Sequence, residues 1–382
     1  MVRIDAKQIL DLLKKLVRTP SVNPAIDRGQ DEGAIADLIA KWFRKAGSFS
    51  VYEQKVARGR FNVVAVLRGT GRGRSLMLNG HMDTVGTVGM TVKPFTPSIV
   101  NGKLFGRGSC DMKGSIAAMI GAMAGLAAFN KKLAGDVMFT GVVDEEYMSI
   151  GTSELIKRFR ADAAIVGEPT KMNIGVAHKG YAWLEVETVG KPAHGSMPEK
   201  GIDAIEKMAL LINLLGSIRR KYNLNRHPLL GVATIHTSKI TGGSDWSTVP
   251  ARCVLDLERR LLPGENPQDP VEELRKVIKE CSRRDKSLKA TVRLIHHADP
   301  MQINGAPHIS ILKKNLSGLG RIVGVPYWTD GSILWNRAKI PTCLFGPGDI
   351  AVAHGPAEHV KIEDVLRAAR VYAETAVAYC ST

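Results

Sequence analysis

Two histidines and a set of acidic residues stand out because of what precedes them. Ser-Leu-Met-Leu-Asn runs into Gly80-His81-Met82-Asp83, and Val-Met-Phe-Thr-Gly-Val-Val runs into Asp144-Glu145-Glu146. Ala-Ile-Val-Gly is followed by Glu168, and Pro-Thr-Cys-Leu-Phe-Gly-Pro-Gly leads on to Ala353-His354. Asp111 closes the glycine-rich stretch Gly106-Arg-Gly-Ser-Cys-Asp. Carboxylates and imidazoles gathered in one crevice push carboxylate pKa values up unless cations offset the charge. That mixture, without cysteine, suits zinc, cobalt or manganese and argues against a structural zinc site. A pair of ions ~3.5–4 Å apart needs a bridging carboxylate, with one histidine and one further carboxylate for each ion. The residues match that inventory: His81 and Glu168 on one ion, His354 and Glu146 on the other, Asp111 between them. Asp83, two residues after His81, suits a group that fixes a histidine tautomer. Glu145 is left to take a proton from water.

These residues need a scaffold that brings them to one edge. Apolar runs over 62–67, 75–79, 137–143 and 163–166 have strand length, and helical stretches over 112–129 and 152–159 alternate with them. Such alternation predicts an α/β fold with a mainly parallel sheet, which builds its sites beyond the carboxyl ends of its strands. Ahead of them, Asp5 caps a helix carrying Ile9, Leu12, Leu13, Leu16 and Val17 on one face, and Pro20 ends it. A second helix, with Ile35, Leu38, Ile39, Trp42 and Phe43, ends at Gly47. Past Lys179 the order changes to strand 181–189, helix 202–219, strands 231–240 and 251–257, helix 270–281 and strand 290–295. That is the β-α-β-β-α-β ferredoxin-like pattern. A strand over 342–345 and a helix over 362–377 return to α/β character. The expected layout is a metal-binding catalytic domain over 1–178 and 297–382, with an α+β domain over 179–296 inserted into it.

Composition excludes several classes. A length of 382 residues suits two domains, and 44% hydrophobic with 24% charged residues is ordinary for a globular protein. No apolar run reaches the roughly 18–20 residues of a membrane span. The first residues lack a secretory pattern, and the five cysteines are scattered with no C-x-x-C pair, so a cytoplasmic protein without a disulfide framework is expected. Fifty-three Lys+Arg against thirty-seven Asp+Glu give a net charge of +16. The basic residues lie in short, separate pieces without a nucleic-acid motif, which reads as solvated surface; neither nucleic acid nor membrane is an expected partner.

Several stretches together resemble the M20 metallopeptidase family: His81-Met-Asp-Thr-Val, Gly106 through Gly114, Asp144-Glu-Glu146, Gly167-Glu-Pro-Thr170, Lys191-Pro-Ala-His-Gly-Ser196 and Ala353-His-Gly-Pro356. They occur in family order and cover about residues 10–370. Members include acetylornithine deacetylase, succinyl-diaminopimelate desuccinylase, aminoacylases and glutamate carboxypeptidases. The resemblance implies a zinc-peptidase-like catalytic domain holding two zinc ions in the roles given above, and a lid domain through which a homodimer forms. It also implies that His194 reaches from the partner subunit to polarise the scissile carbonyl. The activity implied is hydrolysis of an N-acyl-amino acid by metal-activated water. A carboxypeptidase or dipeptidase of the same machinery is the alternative, and a non-catalytic binding protein on this scaffold the remote one. Glu168 resembles the deacylases and carboxypeptidases, where aspartate marks aminopeptidases. Arg260 reads either as a binder of substrate carboxylate or as a lid-surface ion pair. Three departures from the family pattern touch no ligand: Ser115 for a glycine, Glu258-Arg-Arg260 for Asp-x-Arg, and Pro356-Ala-Glu-His359 for Pro-Asn-Glu-Tyr.

Overall fold

Asp5 starts the first helix as its position predicts: its carboxylate accepts the Gln8 amide at 3.0 Å, satisfying a donor that a helix start leaves unpaired. Helix Ala6–Arg18 then buries Ile9, Leu12, Leu13, Leu16 and Val17. The next helix, Gly33–Ala46, buries Ile35, Ala36, Ile39, Ala40 and Phe43. It stops at Gly47, whose φ of 74° suits glycine. The computed structural model describes residues 2–27, 31–129 and 132–381, and the chain divides into two compact units.

One unit takes in the chain up to Val176, then Ile303–Val323, then the chain from Thr329 on. Its sheet is parallel at the centre, where Val137–Val142, Leu76–His81, Ala163–Val166 and Thr342–Leu344 lie side by side in that order. These strands are buried along their whole length, which is why they read as apolar runs rather than alternations. Antiparallel strands flank them: Arg60–Leu67 and then Ser50–Ala57 on one side, Ile174–His178 on the other. Helix Gly114–Ala127 is apolar all round and buried along nearly all its length, packed with Ala6–Arg18 and Ile362–Cys380. Phe43 and Phe139 meet in this core with ring centroids 5.2 Å apart; fully burying such a side chain contributes about 1.5–3 kcal/mol.

The other unit comprises Ala177–Gln302 with Gly324–Trp328. Its antiparallel sheet runs Thr234–Gly242, Arg252–Leu261, Gly180–Val189, Lys289–Ala298. Here the strands alternate: Leu184, Val186, Leu255 and Leu257 are buried in one cluster with Met208, Leu211 and Leu215 of helix Ala204–Tyr222 and Leu274 of helix Asp269–Arg284. Among the described residues no helix is long and apolar enough to cross a membrane.

Some boundaries move from their expected places. The helix expected from residue 112 begins at Gly114, because Asp111 (φ −120°, ψ 97°) and Met112 (φ −130°, ψ 36°) are not helical. The unit boundaries fall at 176/177 and 302/303 rather than at 178/179 and 296/297, and Gly324–Trp328, expected in the catalytic domain, falls in the second unit. Lys289–Ala298 outruns its apolar core, and Met301 and Gln302 pair with His178 and Ala177.

Candidate metal centre

Parallel strands carry their carboxyl ends to one edge of the sheet, and the ionisable residues sit there. His81 is the last residue of Leu76–His81 and is 2% exposed. Asp144, Glu145 and Glu146 follow Val137–Val142, and Glu168 follows Ala163–Val166. His354 lies in the loop after Thr342–Leu344, and Asp111 just before helix Gly114–Ala127. Asp144 (φ 72°) and His354 (φ 59°) both occupy the left-handed region, a conformation that non-glycine residues keep only when their surroundings enforce it.

Asp111 stands between the two histidines. Its Oδ1 is 3.0 Å from His81 Nε2 and its Oδ2 is 3.3 Å from His354 Nε2; His354 Nε2 is also 3.2 Å from Glu146 Oε1. Two donor groups result, His81–Asp111–Glu168 and Asp111–Glu146–His354, each with its ligand atoms within 4.8 Å of one another. Asp111 belongs to both. Glu168 Oε1 is buried without a hydrogen-bond partner, a costly state for a carboxylate oxygen unless a cation or proton meets it. Nitrogen and carboxylate donors in this arrangement fit two divalent ions.

The electrostatics point the same way. Burial raises the Glu168 carboxyl well above its ordinary value, and Asp111 adds to the rise. Glu145 is raised well above the usual range by burial, with Glu168, Asp330 and Glu146 contributing. Burial would lower both imidazoles, but carboxylate neighbours outweigh it: Asp111 and Asp83 raise His81, while Asp111 and Glu146 raise His354 to about 10. Asp111 itself is held below its ordinary value against burial by its bonds to the two histidines. A cluster with this much buried negative charge holds protons or cations.

Asp83 does more than face an imidazole. Its carboxylate accepts the Glu145 and Glu146 amides, each at 3.1 Å, and Asn23 Nδ2 at 2.8 Å. The nearest acceptor to His81 Nδ1 is the Asp83 carbonyl oxygen at 3.0 Å, with the carboxylate at 3.6 Å. The backbone of Asp83 therefore orients the ring, and its side chain orients the loop carrying Glu145 and Glu146.

Several supporting residues carry no local signal in the sequence. Arg60 donates to Glu32 and to Asp144 Oδ1, the latter at 2.7 Å, and Asn23 reaches the same Asp144 oxygen at 3.1 Å. These bonds hold Asp144 in its left-handed turn. Asp330 is buried, accepts from Thr152 at 2.7 Å, and is raised to about 7 chiefly by burial. Glu358 accepts the Cys110 and Asp111 amides. Ser115, the departure noted above, donates its hydroxyl to the carbonyl of Gly167, next to Glu168. Cys110 is buried, and its thiol is pushed up by burial and by Asp111.

His194 and Arg260 lie in the other unit. His194 is exposed, and its Nδ1 is 2.7 Å from Ser196 Oγ. Arg260 is half-buried; its Nε donates to Glu258 at 2.7 Å and its guanidinium lies 5.8 Å from the centroid of Tyr181. In the structure Arg260 makes the ion pair.

The sequence model of peptidase family M20/M25/M40 matches residues 77–378. An acetylornithine deacetylase from Proteus mirabilis is 32% identical over 365 residues, covering 92% of this chain and 91% of that protein. Among solved structures, a tripeptidase from Staphylococcus aureus superposes with a TM-score of 0.83 at 23% identity, covering 99% of this chain and 100% of that one. A dinuclear metal-binding peptidase from Bacillus subtilis gives a TM-score of 0.75 at 18% identity, covering 99% of each chain.

Proposed function

This chain belongs to peptidase family M20/M25/M40, and from that premise we propose that it removes the acyl group from an N-acyl-amino acid at a centre of two divalent cations. The observation that carries the reading is Asp111, shared between two donor groups that each add one histidine and one glutamate. The chemistry of these ligands favours zinc, with cobalt or manganese as substitutes. The acyl-amino-acid substrate follows the acetylornithine deacetylase relative and the glutamate at position 168.

Bound divalent ions supply Lewis acidity, lowering the pKa of water and polarising an amide carbonyl. Glu145 takes the proton from the attacking water: it is the half-buried carboxylate beside the donor groups that belongs to neither of them. It then returns the proton to the leaving amine. Asp83 holds the Glu145 and Glu146 amides so that base and ligand keep their spacing. His194 of a second copy donates to the developing oxyanion. For Arg260 both expectations stand, a binder of substrate carboxylate or a structural ion pair, and here it pairs with Glu258. The homodimer of this proposal would pair through the edge strand Thr234–Gly242, exposed along nearly all its length, which would cover its free backbone groups.

A peptidase acting on di- or tripeptides is the second reading, favoured by the fold likeness to the Staphylococcus aureus tripeptidase. The deciding experiment is a hydrolysis screen of N-acetyl-, N-succinyl- and N-formyl-amino acids against dipeptides and tripeptides, with zinc or cobalt supplied. Faster cleavage of at least one acyl-amino acid is expected. Cleavage of peptides alone would replace the first reading with the second.

A further inference from the structure

Glu358 is 1% exposed, and its carboxylate has four hydrogen-bond donors. Oε1 accepts the amides of Cys110 and Asp111 at 2.9 and 3.0 Å; Oε2 accepts the amide of Gly108 at 3.0 Å and Arg107 Nη1 at 2.6 Å. Arg107, itself 2% exposed, is fixed further by donating Nε to the Gly86 carbonyl at 3.0 Å. Successive amides can converge on one anion in this way when the loop turns through a left-handed residue, and Gly108 supplies it with φ 77°. A side chain there would meet Thr84 Cγ2 at 2.7 Å. The backbone joins the same two segments: the Gly106 amide donates to the Glu358 carbonyl, and His359–Lys361 pairs with Lys103–Phe105.

The segment that carries Glu358 also carries His354. Glu358 therefore fastens the loop of the shared ligand, Asp111, to the loop of a ligand of one donor group only. His81 and Glu168, in contrast, sit at the ends of fully buried central strands and need no such tie. We propose that Glu358 is a positioning residue that locks the Asp111 loop to the His354 loop, setting the affinity of the ion held by Asp111, Glu146 and His354. The inference rests on the two-ion reading above. It assigns the two ions unequal dependence on one buried side chain that touches neither.

The test is metal binding by the full chain carrying Glu358→Gln, which keeps the shape and removes the charge. Metal-stripped protein is titrated with cobalt(II) and followed by calorimetry and visible absorption. Wild-type protein is expected to bind two ions. In the variant one step should stay within about threefold, while the other loses about 10–100-fold, the range for partners that orient a metal ligand. The cobalt spectrum of the ion bound at the unchanged step should persist, a signature that general loosening of the fold would not preserve. Unchanged affinity at both steps, or equal weakening of both, overturns the inference. Wild-type protein that binds only one ion overturns the two-ion reading, and this inference with it. Arg107→Lys loosens Oε2 alone and supplies the same test should Glu358→Gln fail to fold; undiminished affinity at both steps in either folded variant counts against the proposal.

Discussion

His308 offers a direct measurement of how strongly the first unit's core resists charge. The ring lies in helix Pro307–Asn315, is fully buried, and has no hydrogen-bond partner at either nitrogen among the described residues; its neighbour is the Tyr379 ring, edge-on at 6.0 Å. Burial lowers its pKa from the ordinary 6.5 to about 4. The folded state thus keeps it neutral where the unfolded chain protonates it. Stability from this residue is complete above pH 6.5 and is lost as pH falls from 6.5 toward 4. Each pKa unit corresponds to about 1.4 kcal/mol, so the full loss is about 3.4 kcal/mol. Between pH 7 and 4.5 it is about 2.5 kcal/mol. His308→Leu, similar in volume and free of the titration, should differ from wild type by less than about 1.5 kcal/mol at neutral pH. Urea unfolding of both chains at pH 7.0 and 4.5, followed by tryptophan fluorescence, gives the difference at each pH. The metal-centre groups titrate alike in both chains and cancel. The difference should move by about 2.5 kcal/mol in favour of leucine at the lower pH. A pH-independent difference would refute the assignment of a neutral, unpaired imidazole.

Three further outcomes bear on the chemistry. Glu145→Gln should keep its metal content while turnover falls by about 10²–10⁴; if Glu145→Ala instead loses metal by elemental analysis, Glu145 is a ligand and its role exchanges with that of Glu146. Chelation should abolish hydrolysis and lower the thermal midpoint, because the buried carboxylates then repel one another, and zinc or cobalt should restore both; full activity in metal-stripped protein would contradict the metal-dependent reading. Mixing inactive His194→Ala with inactive Glu145→Ala chains should regenerate activity if His194 acts across a dimer, since one site then carries both lesions and the other neither. A mixture that contains the heterodimer yet stays inactive removes the trans role.

The parts of the centre legible in the sequence are those announced by their own neighbours. His81, Glu146, Glu168 and His354 each follow a buried central strand, and an apolar run that meets a cluster of ionisable residues can be read without knowing the fold. Asp111 was readable as a loop residue, but the late start of its helix was not, because that turn is held by Glu358, 247 positions away. Arg60 and Glu32 were silent for the same reason: the pair closes across 28 positions and reaches Asp144 across 84. Strand Ser50–Ala57 was hidden by its composition. It lies at the sheet edge, pairs among the described residues only with Arg60–Leu67, and keeps the polar residues that an edge tolerates. The role of Asp83 was half visible, since spacing brings it to His81 but says nothing of the amides its carboxylate accepts.

The division of the chain also fixes an order of events on the ribosome. Ala163–Val166 needs Thr342–Leu344 as its parallel neighbour, and synthesis at 5–20 residues per second separates the two by roughly 9–35 s. In that interval nearly all of the second unit emerges, with its sheet strands and both helices contiguous between Ala177 and Gln302, so it can collapse while the first sheet still lacks a strand. The apolar runs of Leu76–His81 and Val137–Val142 must be shielded meanwhile by helices already made. His354 is the last of the five donors to be synthesised, after His81, Asp111, Glu146 and Glu168. A chain that stops short of His354 therefore cannot assemble the second donor group, which needs Asp111, Glu146 and His354 together.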